Sequence, residues 1–256
     1  MAQYYTDFSE YTTGSQPSDW TKRWVTANST FSVESDSGAT GGKILQASRA
    51  SSTDRSALSW DAVEESATME VLARVRFVGS KQTTSTIGGT LGRGSGSSGS
   101  ETAMANNPLA INSGSERYNL TQYSNGSFSI LSFDSVSWDT STWYWAKLAL
   151  DASSAESKRW SGSPSDEPSS GVSASTTVTG SGWAGVLIFQ HARFLDFDVF
   201  AVGTDGDPAP TGPLSTTEAF ALRHNPRTNK VIPVLSAPTV TDIGANCVRP
   251  RVTKGY

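Results

Sequence analysis

Asp196 and Asp198 are the carboxylates whose spacing comes nearest to catalytic chemistry. They lie two residues apart in the alternating segment Leu195-Asp196-Phe197-Asp198-Val199. A strand would put both on one face, with Phe197 on the other. Retaining glycosidases need two carboxyls about 5–5.5 Å apart in such a place. Here both are Asp and no third acid follows. A structural role competes with the chemical one: facing the basic pair Arg74 and Arg76 on a neighbouring strand, a contact worth roughly 0.2–1 kcal/mol per cross-strand pair. Glu64 and Glu65 are adjacent and so point to opposite faces. His191 and His224 are the only histidines, and no Gly-x-Ser-x-Gly elbow precedes a helix, so a Ser-His-Asp triad lacks its parts. Two distant histidines and one cysteine do not make a zinc site. Cys247 cannot form an intrachain disulfide and reads as a small buried apolar residue. The chain is therefore expected not to be an enzyme.

Binding is the better-supplied chemistry. The chain carries 8 tryptophans, and sugar C–H faces stack on exposed aromatic rings. Trp145 is the leading candidate, because its strand parity opposes the core-facing Tyr144, Ala146 and Leu148. Lys147, Arg74, Arg76, Asp196 and Asp198 supply the charged groups of such a face. Trp138, Trp143 and Trp160 fall near loop or strand ends, and core packing competes with a ligand role at each. The Gly-rich stretch from Gly88 to Ser100 has no lysine and no following helix, so it does not cradle phosphate; it reads as a flexible loop.

These residues need a β framework to position them. Met69 to Phe77 alternates, with Met69, Val71, Ala73, Val75 and Phe77 on one face and Arg74 and Arg76 on the other. Trp143 to Leu150 repeats the pattern. Leu195, Phe197, Val199 and Ala201 alternate with Asp196, Asp198 and Phe200. Ala184 to Gln190 reads as a buried strand, and weaker strands are expected at 31–34, 43–48, 57–60, 117–123 and 126–133. The last two form a hairpin around Asn125-Gly126. Many short strands between Gly, Ser, Asn, Asp and Pro clusters mean a sandwich or barrel. The 256 residues suffice for one large β domain with a short appendage. Residues 1–205 are expected to form it. Thr204 to Pro213 reads as a linker over 206–215, and 216–256 as a basic tail expected to anchor the protein in an assembly, with Arg223, Arg227, Lys230, Arg249 and Arg251 as the candidate assembly residues.

Charged residues make up only 17% and the net charge is −4 without runs of one sign, which speaks against nucleic acid. No stretch approaches 18 apolar residues, and the first residues lack the pattern of a signal peptide.

Tyr5-Thr6-Asp7-Phe8-Ser9-Glu10-Tyr11, with Gly14 and Asp19-Trp20-Thr21, resembles the opening strand of laminin-G/concanavalin-A-like domains in bacteriophage virion proteins. Phe197 to Gly206 resembles the closing strand, and Trp160, Asp166-Glu167-Pro168 and Gly182-Trp183-Ala184-Gly185 resemble the late strands and loops. The match covers about 4–210. The tail, from Ser236 to Ala245 and Val248 to Val252, is similar to the first two strands of an immunoglobulin or fibronectin-III-like module. The resemblance implies an all-β jelly-roll sandwich in a tail fibre, collar or capsid-decoration protein, assembled in the bacterial cytoplasm. Its partners would be other virion proteins, further copies of itself and a host surface polysaccharide. A free carbohydrate-binding module, or an accessory domain of a glycan-degrading enzyme, is the alternative. The resemblance also admits calcium, for which Asp205, Asp207, Asp36 and Asp134 are candidates by residue type, although no EF-hand spacing is present.

Overall fold

A computed structural model describes residues 2–24, 29–49, 55–81, 85–86, 88–189 and 194–214, together with 224–225 and 230–231. The chain divides into two compact units, Met1–Leu214 and Ser215–Tyr256. In the second, the described residues form a two-stranded antiparallel ribbon, His224–Asn225 against Lys230–Val231. Arg223, Arg227, Arg249, Arg251, His191 and Cys247 lie outside the described residues, and of Lys230 only the backbone is described.

The first unit contains sixteen strands: β1 (Ala2–Thr6), β2 (Trp20–Trp24), β3 (Ser29–Ser35), β4 (Lys43–Arg49), β5 (Arg55–Trp60), β6 (Met69–Val78), β7 (Ser85–Thr86), β8 (Gly88–Ser95), β9 (Thr102–Asn112), β10 (Ser115–Ser124), β11 (Ser127–Asp134), β12 (Tyr144–Asp151), β13 (Ser154–Trp160), β14 (Val172–Ser175), β15 (Trp183–Phe189) and β16 (Phe194–Thr204). Sheet A runs β14-β13-β12-β6-β16-β4-β3, with β1 beside the second half of β16; sheet B runs β11-β10-β9-β8-β15-β5-β2, with β7 beside β9. The described ladders are all antiparallel. The single described helical element is the 3₁₀ turn Pro164–Asp166, capped by Ser163. The all-β sandwich expected from the alternating segments is therefore the fold.

The core lies between the sheets. Sheet A contributes Val71, Ala73, Val75, Phe77, Tyr144, Ala146, Leu148, Leu195 and Phe197, and sheet B contributes Leu58, Met104, Leu120, Val186 and Ile188. Each large side chain buried there stabilises the fold by roughly 1.5–3 kcal/mol. Trp20 and Trp60 stack at 5.6 Å and meet Phe200 edge-on. Asn106 crosses the core to donate to the carbonyls of Lys147 and Lys158, lacing sheet B to sheet A. The hairpin at Asn125-Gly126 forms with both residues at positive φ, 48° and 81°. That is the two-residue turn whose twist suits paired strands.

Two expectations fail for stated reasons. Gly88 to Ser95 is a strand in the middle of sheet B, not a loop. Its glycines answer to packing rather than flexibility. A Cβ at Gly92 would fall 2.8 Å from Leu150 and Met69 in the core, and one at Gly94 would enter the Trp183 ring at 2.5 Å. The second failure is the alternation along β16. The register against β6 shifts between Phe197 and Val199, so Asp198 is the extra residue of a bulge. Beyond it the parity reverses. Phe200 and Val202 enter the main core, while Val199 and Ala201 turn to the outer face of sheet A.

Candidate functional site

The outer face of sheet A gathers most of the residues whose types suggested chemistry. Asp196 sits opposite Arg76 in the ladder and accepts from its Nη2 at 2.6 Å and from its Nε at 3.2 Å. Asp36 takes the same Nη2 at 2.5 Å, and Gln46 donates to Asp196 at 2.9 Å. The bulge turns Asp198 to the same side, where it accepts from Arg74 at 2.7 Å and from the Thr40 backbone and hydroxyl at 2.6 and 2.9 Å. The half-buried Trp143 covers both guanidiniums, 4.3 Å from Arg76 and 5.3 Å from Arg74. The carboxylate pair thus faces the arginine pair, as parity suggested, and neither acid is free to act as nucleophile or proton donor. Burial raises the Asp196 carboxyl above its ordinary range, with Arg76 and Gln46 opposing the shift. Burial would lower the Arg76 guanidinium, but its bonds to Asp196 and Asp36 outweigh that and hold it above its usual value.

Next along the face lies an apolar strip. Trp145 points outward as expected, but it is only 5% exposed. It stacks on Trp160 at 6.3 Å and 18°, among Leu72, Val199, Ala201 and Ala209, and its indole N–H donates to Gly162 O at 3.1 Å. The open platform expected at Trp145 is therefore closed. The cover is partly the stretch read as a linker. Ala209 is buried, its N–H donates to Glu70 at 3.0 Å, and Gln3 donates to Pro208 O. Trp20, Trp24, Trp60, Trp138, Trp160 and Trp183 are likewise buried. Lys147 bridges Glu70 and Glu167 at 3.0 and 2.9 Å, and Lys158 joins Glu167 at 2.8 Å. Burial would lower Lys147, but these carboxylates outweigh it and raise it. The two lysines likewise outweigh desolvation and hold Glu167 below the usual carboxylate range.

Past this network the face opens into a cleft of about 660 Å³, lined by Glu70, Ala149, Asp151, Ser154, Glu156, Ser173 and Asp207 among others. Its floor is one registered row across four strands, Ser173, Glu156, Ala149 and Glu70, and the row continues to Gly203 under the 207–208 backbone. Large and small side chains alternate along it. Ala149 leaves a gap between two carboxylates whose backbones are about 10 Å apart, two strand spacings. Gly203 admits the 207–208 backbone, since a Cβ there would fall 2.1 Å from Asp207 O. Glu70 is held by Lys147 and the Ala209 N–H, and Glu156 accepts from the Gly171 N–H at 2.8 Å. Sequence reasoning named none of Glu70, Ala149 or Glu156. The visible signal was Glu70, which shares the outward parity of Arg74 and Arg76.

On the outer face of sheet B the aromatic residues pack on one another. Trp24, on an edge strand, reaches Tyr123 at 5.6 Å, five strands away in the sheet order. Sheet B is therefore strongly curved there, and Trp24, Tyr123, Trp183 and Phe189 fill its hollow.

The calcium candidates do not converge. Asp36 is bound to Arg76, Asp205 accepts from Ser66 Oγ at 2.8 Å, Asp207 lines the cleft and Asp134 ends β11. Among the described residues no three His, Cys, Asp or Glu side chains could hold one metal ion, whereas calcium takes six to eight oxygens. The four candidates therefore do not make one shared carboxylate site.

No protein-family model matches the sequence, and no curated protein matches it. Solved structures do resemble it. The exoplasmic/lumenal domain of VIP36 in its Ca2+-bound form is 8% identical over 83% of this chain and 97% of that one, with a TM-score of 0.54. Lectin II from Ulex europaeus is 10% identical over 78% and 97%, with a TM-score of 0.51. The carbohydrate-binding module CBM66 from Bacillus subtilis covers 75% of this chain and 93% of its own at 12% identity and a TM-score of 0.45. At these identities the likeness concerns the fold, and the fold is the lectin-type β-sandwich.

Proposed function

We propose that the protein binds a saccharide through the Glu70–Ala149–Glu156 cleft, as the sugar-recognising head of a bacteriophage virion structural protein of the tail-fibre, collar or capsid-decoration kind. The cleft carries this reading. Its volume falls within the roughly 300–1,000 Å³ of small-molecule sites. Its chemistry suits a sugar. Fixed carboxylates accept hydrogen bonds from hydroxyls, Ser154 and Ser173 can donate or accept, and Ala149 offers apolar surface to C–H groups. The fold supports it, since the VIP36 domain of the same architecture has a structure titled as a Ca2+/Man-bound form. The virion setting rests on the sequence resemblance of residues 4–210.

A glycan array followed by titration calorimetry tests the cleft. Ala149→Trp fills the gap between the two carboxylates from a half-exposed position. Binding should weaken at least tenfold while the unfolding midpoint holds. A glycan that binds this variant as well as the parent rules the cleft out. Mass spectrometry and cryo-EM of intact particles test the setting.

A further inference from the structure

Three arginines of the sandwich are nearly buried, and two have acceptors. Arg93 donates to the Ala67 and Val178 carbonyls, and Arg159 to those of Pro108, Val136 and Ser137. Arg117 is 6% exposed, and among the described residues its side chain has neither hydrogen bond nor ion pair. Its one described partner is the Phe133 ring, whose centroid lies 4.5 Å from the guanidinium. Desolvation pushes it below its ordinary value with no carboxylate opposing.

The neighbours share the deficiency. Asn119 lies two residues along β10 on the same face, is fully buried, and has no partner for either amide atom. Asn107, opposite Asn119 on β9, gives its N–H to Thr121 Oγ1 at 2.8 Å and leaves its own oxygen unpaired. A buried polar group without a partner costs about 1–3 kcal/mol, and a charged one more. Three in one patch are a standing cost to the fold. Phe133, opposite Asn119 on the edge strand β11, is 52% exposed, the most exposed large apolar side chain among the described residues. One exposed aromatic ring thus caps a guanidinium whose buried Nε has no partner among the described residues.

We propose that Arg117, Asn119 and Asn107 form a binding subsite for the carboxylate of an acidic sugar, of uronic or sialic type, reached when the Phe133 ring swings aside. The Arg fork matches a planar carboxylate through two parallel bonds. The amides of Asn119 and Asn107 lie within the same patch to receive ring hydroxyls. This site is on sheet B, across the sandwich from the cleft, so either can fail without the other.

The experiment uses the full chain and four probes: glucuronate, N-acetylneuraminate, galactose and sulfate, each titrated by calorimetry and by thermal shift. At least one sugar acid should bind at least tenfold more tightly than galactose and sulfate. Arg117→Lys, which keeps the charge but loses the fork, should weaken it tenfold or more, and Arg117→Met should abolish it. Arg117→Met removes a buried Nε that has no partner among the described residues, so without ligand it should melt at the same temperature or a few degrees higher. Sugar-acid binding that is lost in Ala149→Trp but kept in Arg117→Met would place the sugar acid in the cleft and overturn the sheet B site. Sulfate binding as tightly as the sugar acids would overturn the carboxylate assignment. Loss of stability in Arg117→Met, with sugar-acid binding absent in the parent chain, would overturn the site and make Arg117 structural.

Discussion

Trp145→Ala separates a buried structural tryptophan from a sugar platform. The ring is 5% exposed, stacked on Trp160 and enclosed by Leu72, Val199, Ala201 and Ala209. Truncating a buried Trp costs about 3–5 kcal/mol in transfer and cavity terms. The lost indole bond to Gly162 O adds about 1 kcal/mol. Working in the other direction, part of the enclosure is the stretch around Ala209, held by the hydrogen bonds of Gln3 and Glu70. Such a cover collapses into a cavity more readily than two sheets do. The expected cost is therefore about 3 kcal/mol, near the low end. For a unit of this size 1 kcal/mol moves the midpoint by roughly 2–4 °C, so Tm should fall by roughly 6–12 °C. Scanning calorimetry and urea unfolding measure it, and an unchanged m-value keeps the loss in the native state. Trp145→Phe, which keeps a ring but loses the N–H, should cost about half as much. A loss below 1 kcal/mol, or loss of glycan binding at unchanged stability, would refute the burial argument and return Trp145 to the ligand surface.

Asp196→Ala should destabilise by about 2–3 kcal/mol in denaturant titration, less than the roughly 3–5 kcal/mol for breaking a buried pair, because Arg76 retains Asp36. Acid titration carries a sign. Asp36, Glu116 and Glu167 have folded-state values below their unfolded ones, so each contributes stability above its unfolded value and loses it as pH falls through the folded one. Asp196 is raised, so its protonation favours the folded state as pH falls through its folded value. Asp196→Asn should therefore steepen the loss of stability as pH falls toward the ordinary carboxylate value of about 4, measured by urea unfolding across the acid range. Gly94→Ala should fail to accumulate as folded protein in expression and circular dichroism, since its Cβ would overlap the Trp183 ring. Removing residues 216–256, with the cut placed beyond the packed Ala209, should leave the sandwich folded and glycan binding intact while the chain no longer enters particles.

The parts of this fold legible in the sequence are those set by period two. Met69 to Phe77 and Tyr144 to Leu150 face the core as their alternation requires, and the Arg74/Arg76 and Asp196/Asp198 pairs meet because both alternate outward. Legibility ends where one residue breaks the period. The bulge at Asp198 cannot be seen in the string Phe197-Asp198-Val199-Phe200, and everything after it changes face. Exposure was harder to read than orientation. Parity correctly turned Trp145 outward, but its cover includes Ala209, sixty-four positions later in the chain, and Trp160 on the next strand. Strand β13, Ser-Ala-Glu-Ser-Lys-Arg-Trp, gives no apolar alternation to find. Its inward face is made by Ala155 and by buried polar residues such as Ser157 and Arg159.

The candidate cleft was hidden for a related reason, and the reason says where function sits in such sandwiches. Large residues announce themselves: the tryptophans drew notice as a set, and seven of the eight are buried, the exception being the half-buried Trp143 over its arginines. A cleft is made by what is missing from a row of side chains. Ala149 matters because Glu156 and Glu70 flank it on the two neighbouring strands, a relation that exists only once those strands are in register. The same logic runs through β8, whose glycines make room for Leu150, Met69 and Trp183. In a fold that fills the hollow of one sheet with its own aromatics and covers much of the other with ion pairs, room for a ligand must be left by small side chains. That is why the row Ser173–Glu156–Ala149–Glu70, and not the tryptophans, is where a sugar should be sought.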